Sequence, residues 1–272
     1  MLALIYSARD PAGSGTARII RELLGGDRCS LPRAVECTLL SNGVYLVGFD
    51  ADSIFLDFLG EVLPANIEGY VVLSRHSGGK PSLTVHHTGN PGPEAPYGGK
   101  PWSLAPAWPR TAAGLLRTYR RVAEEMGLTG EFQVTLEATH HGPTELEKPI
   151  VFIEIGSSER EWVRRDTQNA MAETVIRFME RDLVSVECSK VAIGIGDTHY
   201  PIKHTRNVLE RGYCYSHIFS KHVLDNLTLE LLEQALEKTR DKVDTVVLAK
   251  VPSRVKQLAR SFAEKYGLQL EK

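Results

Sequence analysis

The sequence predicts an α/β fold of three layers, with helices on both sides of a mostly parallel or mixed sheet. Short apolar runs rich in β-branched residues, a pattern typical of buried strands, recur along the whole chain. Most of these runs alternate with amphipathic segments of helical period, and such alternation produces a largely parallel sheet. The length of 272 residues suffices for a large apolar core, and we expect one domain over residues 1–272.

The first third of the chain contains five predicted strands, at residues 2–6, 35–40, 44–49, 69–74 and 82–86. A helix is expected to begin at Asp10-Pro11, because aspartate caps helices and proline is favoured at the first helical position. It runs to about Leu24, before Gly25-Gly26. A shorter helix is expected near residues 53–62.

The rest of the chain continues the alternation. Strands are expected at residues 132–138, 150–155, 190–196, 213–218 and 244–249, and helices at 111–126, 158–182, 228–239 and 252–266. Ser158 and Glu161 form the capping-box pattern that opens the second of these helices. Residues 197–205 are interpreted as a loop.

A Pro/Gly-rich insertion, with six prolines and four glycines, occupies residues 88–110. A loop of this length without secondary structure is uncommon in a compact domain and is often functional. Two interpretations stay open, a lid over a site and a proline-stiffened surface excursion.

Composition narrows the possible functions. A hydrophobic content of 42% and a charged content of 24% are typical of a soluble globular protein. The net charge of −2 indicates no general affinity for nucleic acid, so we expect no DNA partner, and an RNA partner would need a local patch. Neither a signal peptide nor an apolar run of membrane-spanning length is evident, which favours the cytoplasm.

The four cysteines are widely spaced and form no Cys-x-x-Cys pair, which argues against a structural zinc site of the finger type. A bridge between Cys29 and Cys37 is geometrically conceivable. We nevertheless expect reduced thiols.

Two pairs of adjacent histidines end apolar runs, His86-His87 and His140-His141. Consecutive side chains of a strand point to opposite faces, so we expect each pair to send one imidazole into a site. Other predicted strand ends also carry polar groups. These are Arg75, His76 and Lys80; Glu154; and Asp197, His199, Lys203 and His204.

Because open α/β sheets bind ligands at the carboxyl ends of their strands, we expect these groups to meet in one pocket. Histidine and carboxylate side chains from several segments are what a catalytic zinc site requires. A buried carboxylate such as Glu154 is costly unless it is paired or binds a metal.

Five motifs together resemble one family, the D-aminoacyl-tRNA deacylases of the archaeal and plant type. They are SRHS (74–77), HHTGN (86–90), ATHHGP (138–143), IEIGSSEREW (153–162) and GIGDTHY (194–200). The resemblance implies a monomeric α/β protein whose core is similar to that of peptidyl-tRNA hydrolases and purine phosphorylases. It also implies zinc dependence and hydrolysis of the ester that joins a D-amino acid to the acceptor end of tRNA, which is chiral proofreading.

The resemblance gives the polar residues expected roles. The expected catalytic residues are Glu154, His141, His199 and Asp197. The expected zinc ligands are His87, His140, His141, Glu154, His199 and His204. The expected substrate-binding residues are Arg75, His76, Lys80, His86, Thr88, Asn90 and Lys203. Trp102 and Trp108 either stack on a terminal adenine or anchor the insertion.

Two alternatives stay open. One is a zinc-dependent exopeptidase or amidase that needs no tRNA. The other is a non-catalytic protein that binds the end of tRNA.

Overall fold

The computed structural model describes residues 1–182 and 186–272. In this part of the chain the strands form an eight-stranded mixed sheet, a four-stranded parallel sheet and a two-stranded ribbon. The prediction of an α/β fold is confirmed. The large sheet contains parallel and antiparallel strands, and helices flank it.

The large sheet has the strand order β2-β3-β4-β1-β5-β10-β6-β9. Its strands are β1 (Leu2–Ser7), β2 (Gly26–Arg28), β3 (Ala34–Leu40), β4 (Tyr45–Phe49), β5 (Gly69–Ser77), β6 (Ser82–His86), β9 (Gln133–Leu136) and β10 (Ile150–Ser157). Strands β4, β1, β5 and β10 are parallel to one another. Strand β6 is antiparallel to β10 and parallel to β9, so β6 and β9 run opposite to the central strands.

The four-stranded sheet has the order β12-β11-β13-β14 and is formed by the C-terminal part of the chain. Its strands are β11 (Lys190–Ile195), β12 (Tyr213–Phe219), β13 (Thr245–Leu248) and β14 (Gln269–Glu271), and its helices are α6 (Ile202–Arg211), α7 (Leu229–Glu237) and α8 (Ser253–Tyr266). After β11 the chain places β12 on one side and β13 on the other. The strand order therefore reverses between β11 and β13.

Helices α1 (Pro11–Leu24), α2 (Leu59–Val62), α3 (Pro109–Glu125), α4 (Glu159–Trp162) and α5 (Arg165–Arg177) accompany the large sheet. Strand alternation divides its apolar side chains between two cores. In β1, Leu2, Leu4 and Tyr6 join the core that includes α1, α3 and α5, while Ala3 and Ile5 join a smaller core on the other face. Helix α3 contacts both α5 and β12 and so connects the two larger sheets.

The Pro/Gly-rich insertion contains the ribbon, β7 (Gly89–Asn90) and β8 (Ser103–Leu104). The amide of Asn90 donates to the carbonyl oxygens of Gly98 (2.8 Å) and Lys100 (3.2 Å) and so fixes the segment between the two strands.

Three predicted elements differ from the structure. The helix expected near 53–62 is a 3-10 turn at Ser53–Phe55 followed by the short helix α2. The helix expected over 158–182 is divided into α4 and α5, because Arg164 is extended and its guanidinium binds the carboxylate of Asp166 in the first turn of α5. The loop expected over 197–205 turns into α6 at Ile202. In the first turn of α6, the main-chain N–H of Lys203 donates to the carboxylate of Asp197 at 2.8 Å.

The expectation of reduced thiols is wrong, because all four cysteines form disulfides, Cys29–Cys37 and Cys188–Cys214. The β2–β3 hairpin brings the first pair together, and the main-chain N–H of Cys29 donates to the carbonyl of Cys37. The second pair is joined across the start of β11 and β12, a tertiary pairing that sequence spacing does not reveal. Among the described helices, none is long and apolar enough to cross a membrane.

Candidate active site

Four adjacent strands of the large sheet, β5, β10, β6 and β9, bring polar side chains to one face. Glu154 of β10 pairs in register with Ser74 of β5 and Thr84 of β6, so its side chain lies on the same face as His76 and His86, two residues further along those strands. Because β6 runs opposite to β10, His86 pairs with Phe152 in the middle of β10 rather than at its end. The polar residues therefore meet over a face of the sheet, which corrects the expectation of a common rim of carboxyl ends.

His140 and His141 both enter this site, although strand alternation predicted that only one of them would. Strand β9 ends at Leu136, and His141 adopts the left-handed conformation with φ of 44°. The imidazole of His140 lies 4.4 Å from that of His86 and 4.4 Å from that of His141, measured between ring centroids. For the first pair the expectation of one inward imidazole holds, since His86 faces the site and His87 does not.

The four-stranded sheet contributes the remaining part of the site. The loop after β11 docks on the segment after β9, where the N–H of Ala138 donates to the carbonyl of His199 at 2.8 Å. His199 Nε2 then lies 2.8 Å from Glu137 Oε2, and the Tyr200 hydroxyl lies 2.5 Å from His76 Nε2. The site is thus assembled from both sheets.

Two buried carboxylates form the centre of the cluster. Glu137 Oε1 lies 3.1 Å from His76 Nδ1, and Glu137 Oε2 lies 3.5 Å from His140 Nε2. Glu154 Oε2 lies 3.5 Å from His76 Nδ1 and 3.5 Å from His86 Nε2. Buried carboxylates need such partners, because burial without compensation disfavours the charged form.

The pKa values reflect this pairing. Burial raises the pKa of Glu154, but the neighbouring imidazoles of His76 and His86 outweigh burial and lower this pKa well below its usual range. Burial likewise opposes protonation of His76 and His86, yet Glu154 and Glu137 raise both histidine pKa values. Burial and the neighbouring imidazoles lower the pKa of His140 well below 6.5 and that of His141 to about 4.

Main-chain carbonyls fix the orientation of three imidazoles. The Nδ1 atoms of His86, His140 and His141 lie 3.2, 2.9 and 2.6 Å from the carbonyl oxygens of His87, Ala138 and Gly142. When the Nδ1 proton is donated to such a carbonyl, the lone pair of Nε2 is left free to bind a metal. This is the usual arrangement of a histidine metal ligand.

The cluster can hold metal ions. Three sets of side chains each have their potential ligand atoms within 4.8 Å of one another. They are His86, His140 and His141; Glu137, His140 and His199; and His76, Glu137 and Glu154. In the described residues the buried atoms His86 Nε2 and Glu137 Oε1 have no hydrogen-bond partner, and both belong to these sets. Imidazole and carboxylate donors suit Zn²⁺.

A cavity of about 540 Å³ opens onto the cluster. Its lining contains His76, His140, His141, Glu154, His199, Arg75, Ser74, Ser77, Asp10, Asp52, Ser53, Ile54 and Tyr97. Tyr97 belongs to the Pro/Gly-rich insertion, which therefore does reach the site. Asp10 accepts hydrogen bonds from three main-chain N–H groups, yet burial raises its pKa to about 6.

Four residues expected in the site lie elsewhere. His87 faces the opposite side of the sheet, where Nδ1 lies 3.0 Å from the carbonyl of Ser216 and Nε2 accepts the N–H of Trp108 at 2.9 Å. Both ring nitrogens are thus used, which leaves neither for a metal. The structure also places His204, Asp197 and Lys203 in the four-stranded sheet region rather than in the cluster. His204 packs on Tyr215, and Asp197 binds the N–H groups of Thr198 and Lys203 instead of a histidine.

Three expected substrate-binding residues have other contacts. The hydroxyl of Thr88 donates to the carbonyl of Pro143 at 2.7 Å, and Asn90 holds the insertion as described above. Lys80 is exposed in the turn between β5 and β6 and does not line the cavity. Arg75 does line it, with its guanidinium 3.4 Å from Asp52.

Sequence reasoning missed Glu137, Tyr200 and Tyr97. Glu137 could have been found by the argument used for Glu154, since it is a carboxylate directly after an apolar strand. Tyr200 follows His199 in a quoted motif but carried no signal of its own. Nothing in the sequence sets Tyr97 apart, because only the fold of the insertion brings it to the cavity.

A histidine–carboxylate cluster beneath an open cavity is an arrangement that metal-dependent hydrolases use. Comparison with known proteins is more specific. The family model described as D-aminoacyl-tRNA deacylase matches residues 63–271. The chain belongs to the D-aminoacyl-tRNA deacylase family.

Individual relatives agree with this assignment. A D-aminoacyl-tRNA deacylase of Desulfurococcus amylolyticus is 45% identical, with 98% of this chain and 96% of the relative covered. The corresponding protein of Staphylothermus marinus is 41% identical, with 97% and 95% covered. A crystal structure of a conserved protein of unknown function superimposes with a TM-score of 0.89 at 29% identity, covering 100% of this chain and 95% of that one.

Proposed function

We propose that this protein hydrolyses the ester bond of D-aminoacyl-tRNA, releasing the free D-amino acid and tRNA, with Zn²⁺ as cofactor. The observation that carries the proposal is the cluster of five histidines and two buried glutamates beneath the cavity, in a chain of this family. An aminoacyl ester is already activated, so a positioned water and stabilisation of the oxyanion are sufficient catalytic devices.

The metal ligands that we propose are His86, His140 and His141, together with His76 and Glu154. Metal ligands bind in their deprotonated form, so binding of the metal would release protons from these side chains. A bound Zn²⁺ would lower the pKa of a coordinated water and polarise the ester carbonyl.

Glu137 and His199 are the pair best placed to handle a proton. Glu137 is fully buried and orients His199, whose side chain is 36% exposed and lines the cavity. A carboxylate that orients an imidazole supports its action as a general base, as in the triads of acyl hydrolases. The low pKa of Glu154 suits an orienting or ligating carboxylate better than a general base.

The cavity offers groups for the amino acid and for the terminal adenosine of the substrate. The carboxylate of Asp52 lies at its rim, half exposed, and is suited to the α-ammonium group of the substrate. Tyr97 is 66% exposed and can stack on the terminal adenine. We propose that the D form is selected by shape in this cavity.

Hydrolysis of matched D- and L-tyrosyl-tRNA, measured with and without a chelator, tests the proposal. We expect hydrolysis of the D form only, with loss of activity after chelation and recovery with Zn²⁺. Equal rates on the two forms would contradict chiral proofreading, and full activity after exhaustive chelation would contradict the zinc requirement.

The same assay separates the two alternatives. An exopeptidase or amidase would hydrolyse small aminoacyl amides and leave D-tyrosyl-tRNA intact. A binding protein would retain tRNA without turnover after zinc is restored. The proposed activity implies the cytoplasm, where charged tRNA is used, while a monomeric state stays a prediction.

A further inference from the structure

A second cleft, of about 910 Å³, lies at the carboxyl ends of β11 and β13 in the four-stranded sheet. This is where the strand order reverses, the position at which open α/β sheets bind ligands. Of the fourteen described residues that line it, seven are lysine or arginine, and one, Asp197, is acidic. We name this surface the basic cleft and define it by Lys203, Arg206, Arg211, Lys221, Lys250 and Lys256.

The basic cleft concentrates positive charge in a chain whose net charge is −2. Within the described residues 1–182 and 186–272, Lys221, Lys250 and Lys256 are exposed and have no ion pair. Arginines of α3 are engaged elsewhere. Arg117 donates to the carbonyls of Val208 and Tyr213, and Arg120 is paired with Glu124.

The basic cleft and the active-site cavity are neighbours along one short loop. Asp197 and Thr198 line the basic cleft, and His199 lines the active-site cavity. Helix α6 begins three residues later, and its first residue, Ile202, is 59% exposed at the cleft. A ligand that fills both spaces would cross this loop.

We propose that the basic cleft binds backbone phosphates of the tRNA acceptor arm and so directs the aminoacyl end into the cavity beside His199. This inference rests on the proposed function. The charges of the two spaces match such a substrate, since the cavity has carboxylates for an ammonium group and the basic cleft has cations for phosphates.

The chemistry of the basic cleft favours an RNA backbone over a free nucleotide. None of the described residues that line it is aromatic, so it offers no surface for stacking a base. Its free cations are lysines, which contact phosphate as point charges without reading a base. Such contacts position a nucleic acid independently of its sequence.

The test compares two triple variants of equal charge change. The first is K221A/K250A/K256A, which removes the free cations of the basic cleft. The second is R18A/K242A/R260A, which removes three exposed cations that line neither the basic cleft nor the cavity. Circular dichroism and thermal unfolding verify that both variants fold.

Hydrolysis is measured with D-tyrosyl-tRNA and with D-tyrosyl-adenosine, which has the same ester and no phosphate. We expect the first variant to raise KM for the tRNA substrate at least tenfold, with kcat and hydrolysis of the adenosine ester within twofold of wild type. The slope of log KM against log salt should fall by about two, because each lost phosphate contact removes about 0.7–0.9 from it. The second variant should behave as wild type.

Equal effects of the two variants on KM for the tRNA substrate would overturn the inference while leaving the proposed function intact. Stabilisation of the wild type by ATP as strongly as by deacylated tRNA, lost in the first variant, would overturn it in favour of a free nucleotide. If the wild type hydrolyses neither ester, the proposed function fails. Filter binding of deacylated tRNA to the two variants then still decides whether the basic cleft binds RNA.

Discussion

Glu137 Oε2 lies 2.8 Å from His199 Nε2, although the two residues are 62 positions apart in the chain and follow strands of different sheets. Glu137 also lies within 3.5 Å of His76 and His140, so one buried carboxylate orients three imidazoles. The Tyr200 hydroxyl, 2.5 Å from His76 Nε2, makes a second side-chain contact between the two parts of the site.

Glu137→Gln should lower kcat for D-tyrosyl-tRNA by about 10²–10⁴-fold, because general-base catalysis contributes about that factor. The amide preserves shape but removes the charge that holds His199 and His76. Glu145→Gln, an exposed carboxylate paired with Lys100, serves as control. Retention of more than half of the wild-type kcat in the Glu137 variant would contradict the assigned role.

Tyr200→Phe should lower kcat about tenfold with little change in KM, since a hydrogen bond to a charged partner contributes about 1.5–3 kcal/mol. The phenol hydroxyl is lost 2.5 Å from His76 Nε2, and the ring that packs on His199 stays. The pH profile of kcat should shift together with the rate. An unchanged rate and profile would show that the hydroxyl is dispensable.

Tyr97→Ala should raise KM for D-tyrosyl-tRNA about tenfold or more, because stacking of one base on an aromatic ring contributes about 1–3 kcal/mol. Tyr97→Phe should retain the wild-type KM. Trp102→Ala is the matched control on the same insertion, since Trp102 is 40% exposed but does not line the cavity. A larger effect of the Trp102 variant would return the stacking role to that residue.

Acid should destabilise the metal-free fold through His204. Burial lowers the pKa of this histidine to about 4 from 6.5, so between these pH values the unfolded chain binds a proton that the folded chain does not. Stability therefore falls as pH decreases from 6.5 to 4, and the loss from this residue is about 3 kcal/mol. Denaturant unfolding in chelator at several pH values should show a smaller acid slope for His204→Leu than for wild type. The exposed His222 provides the control, His222→Leu, which should retain the full slope.

Loss of the Cys188–Cys214 disulfide should cost more stability than loss of Cys29–Cys37. The sequence separations are 26 and 8 residues, and a longer closed loop restricts the unfolded chain more strongly. Chain-entropy arguments give about 3.5 and about 2.5 kcal/mol. Urea unfolding of the two double serine variants measures the difference, and the reverse order would contradict the entropic account.

Most of the strands and helices could be predicted from the sequence, as could the types of residue in the site, but the geometry of the site could not. Alternation along β6 correctly separated His86 from His87, yet it could not say which of them faced the carboxylates. That depends on the antiparallel register of β6 with β10, a tertiary property. Likewise, the left-handed turn at His141 brings both members of the second pair inward, and strand periodicity cannot represent such a turn.

Longer-range relationships account for the remaining errors. Asp197 and His204 were expected in the site because they flank His199 in sequence, but α6 directs them into the four-stranded sheet. Glu137 was missed because its partners come from other strands and from the second sheet. The cysteine pairs required the strand pairing itself.

His199 and Tyr200 come from the loop after β11 of the smaller sheet, so the site depends on the contact between the two sheets. The proposed active site is complete only while the C-terminal sheet is docked against Ala138. Hydrolysis therefore requires that both sheets are folded and in contact. A molecule that has lost this docking also loses the contact between Glu137 and His199.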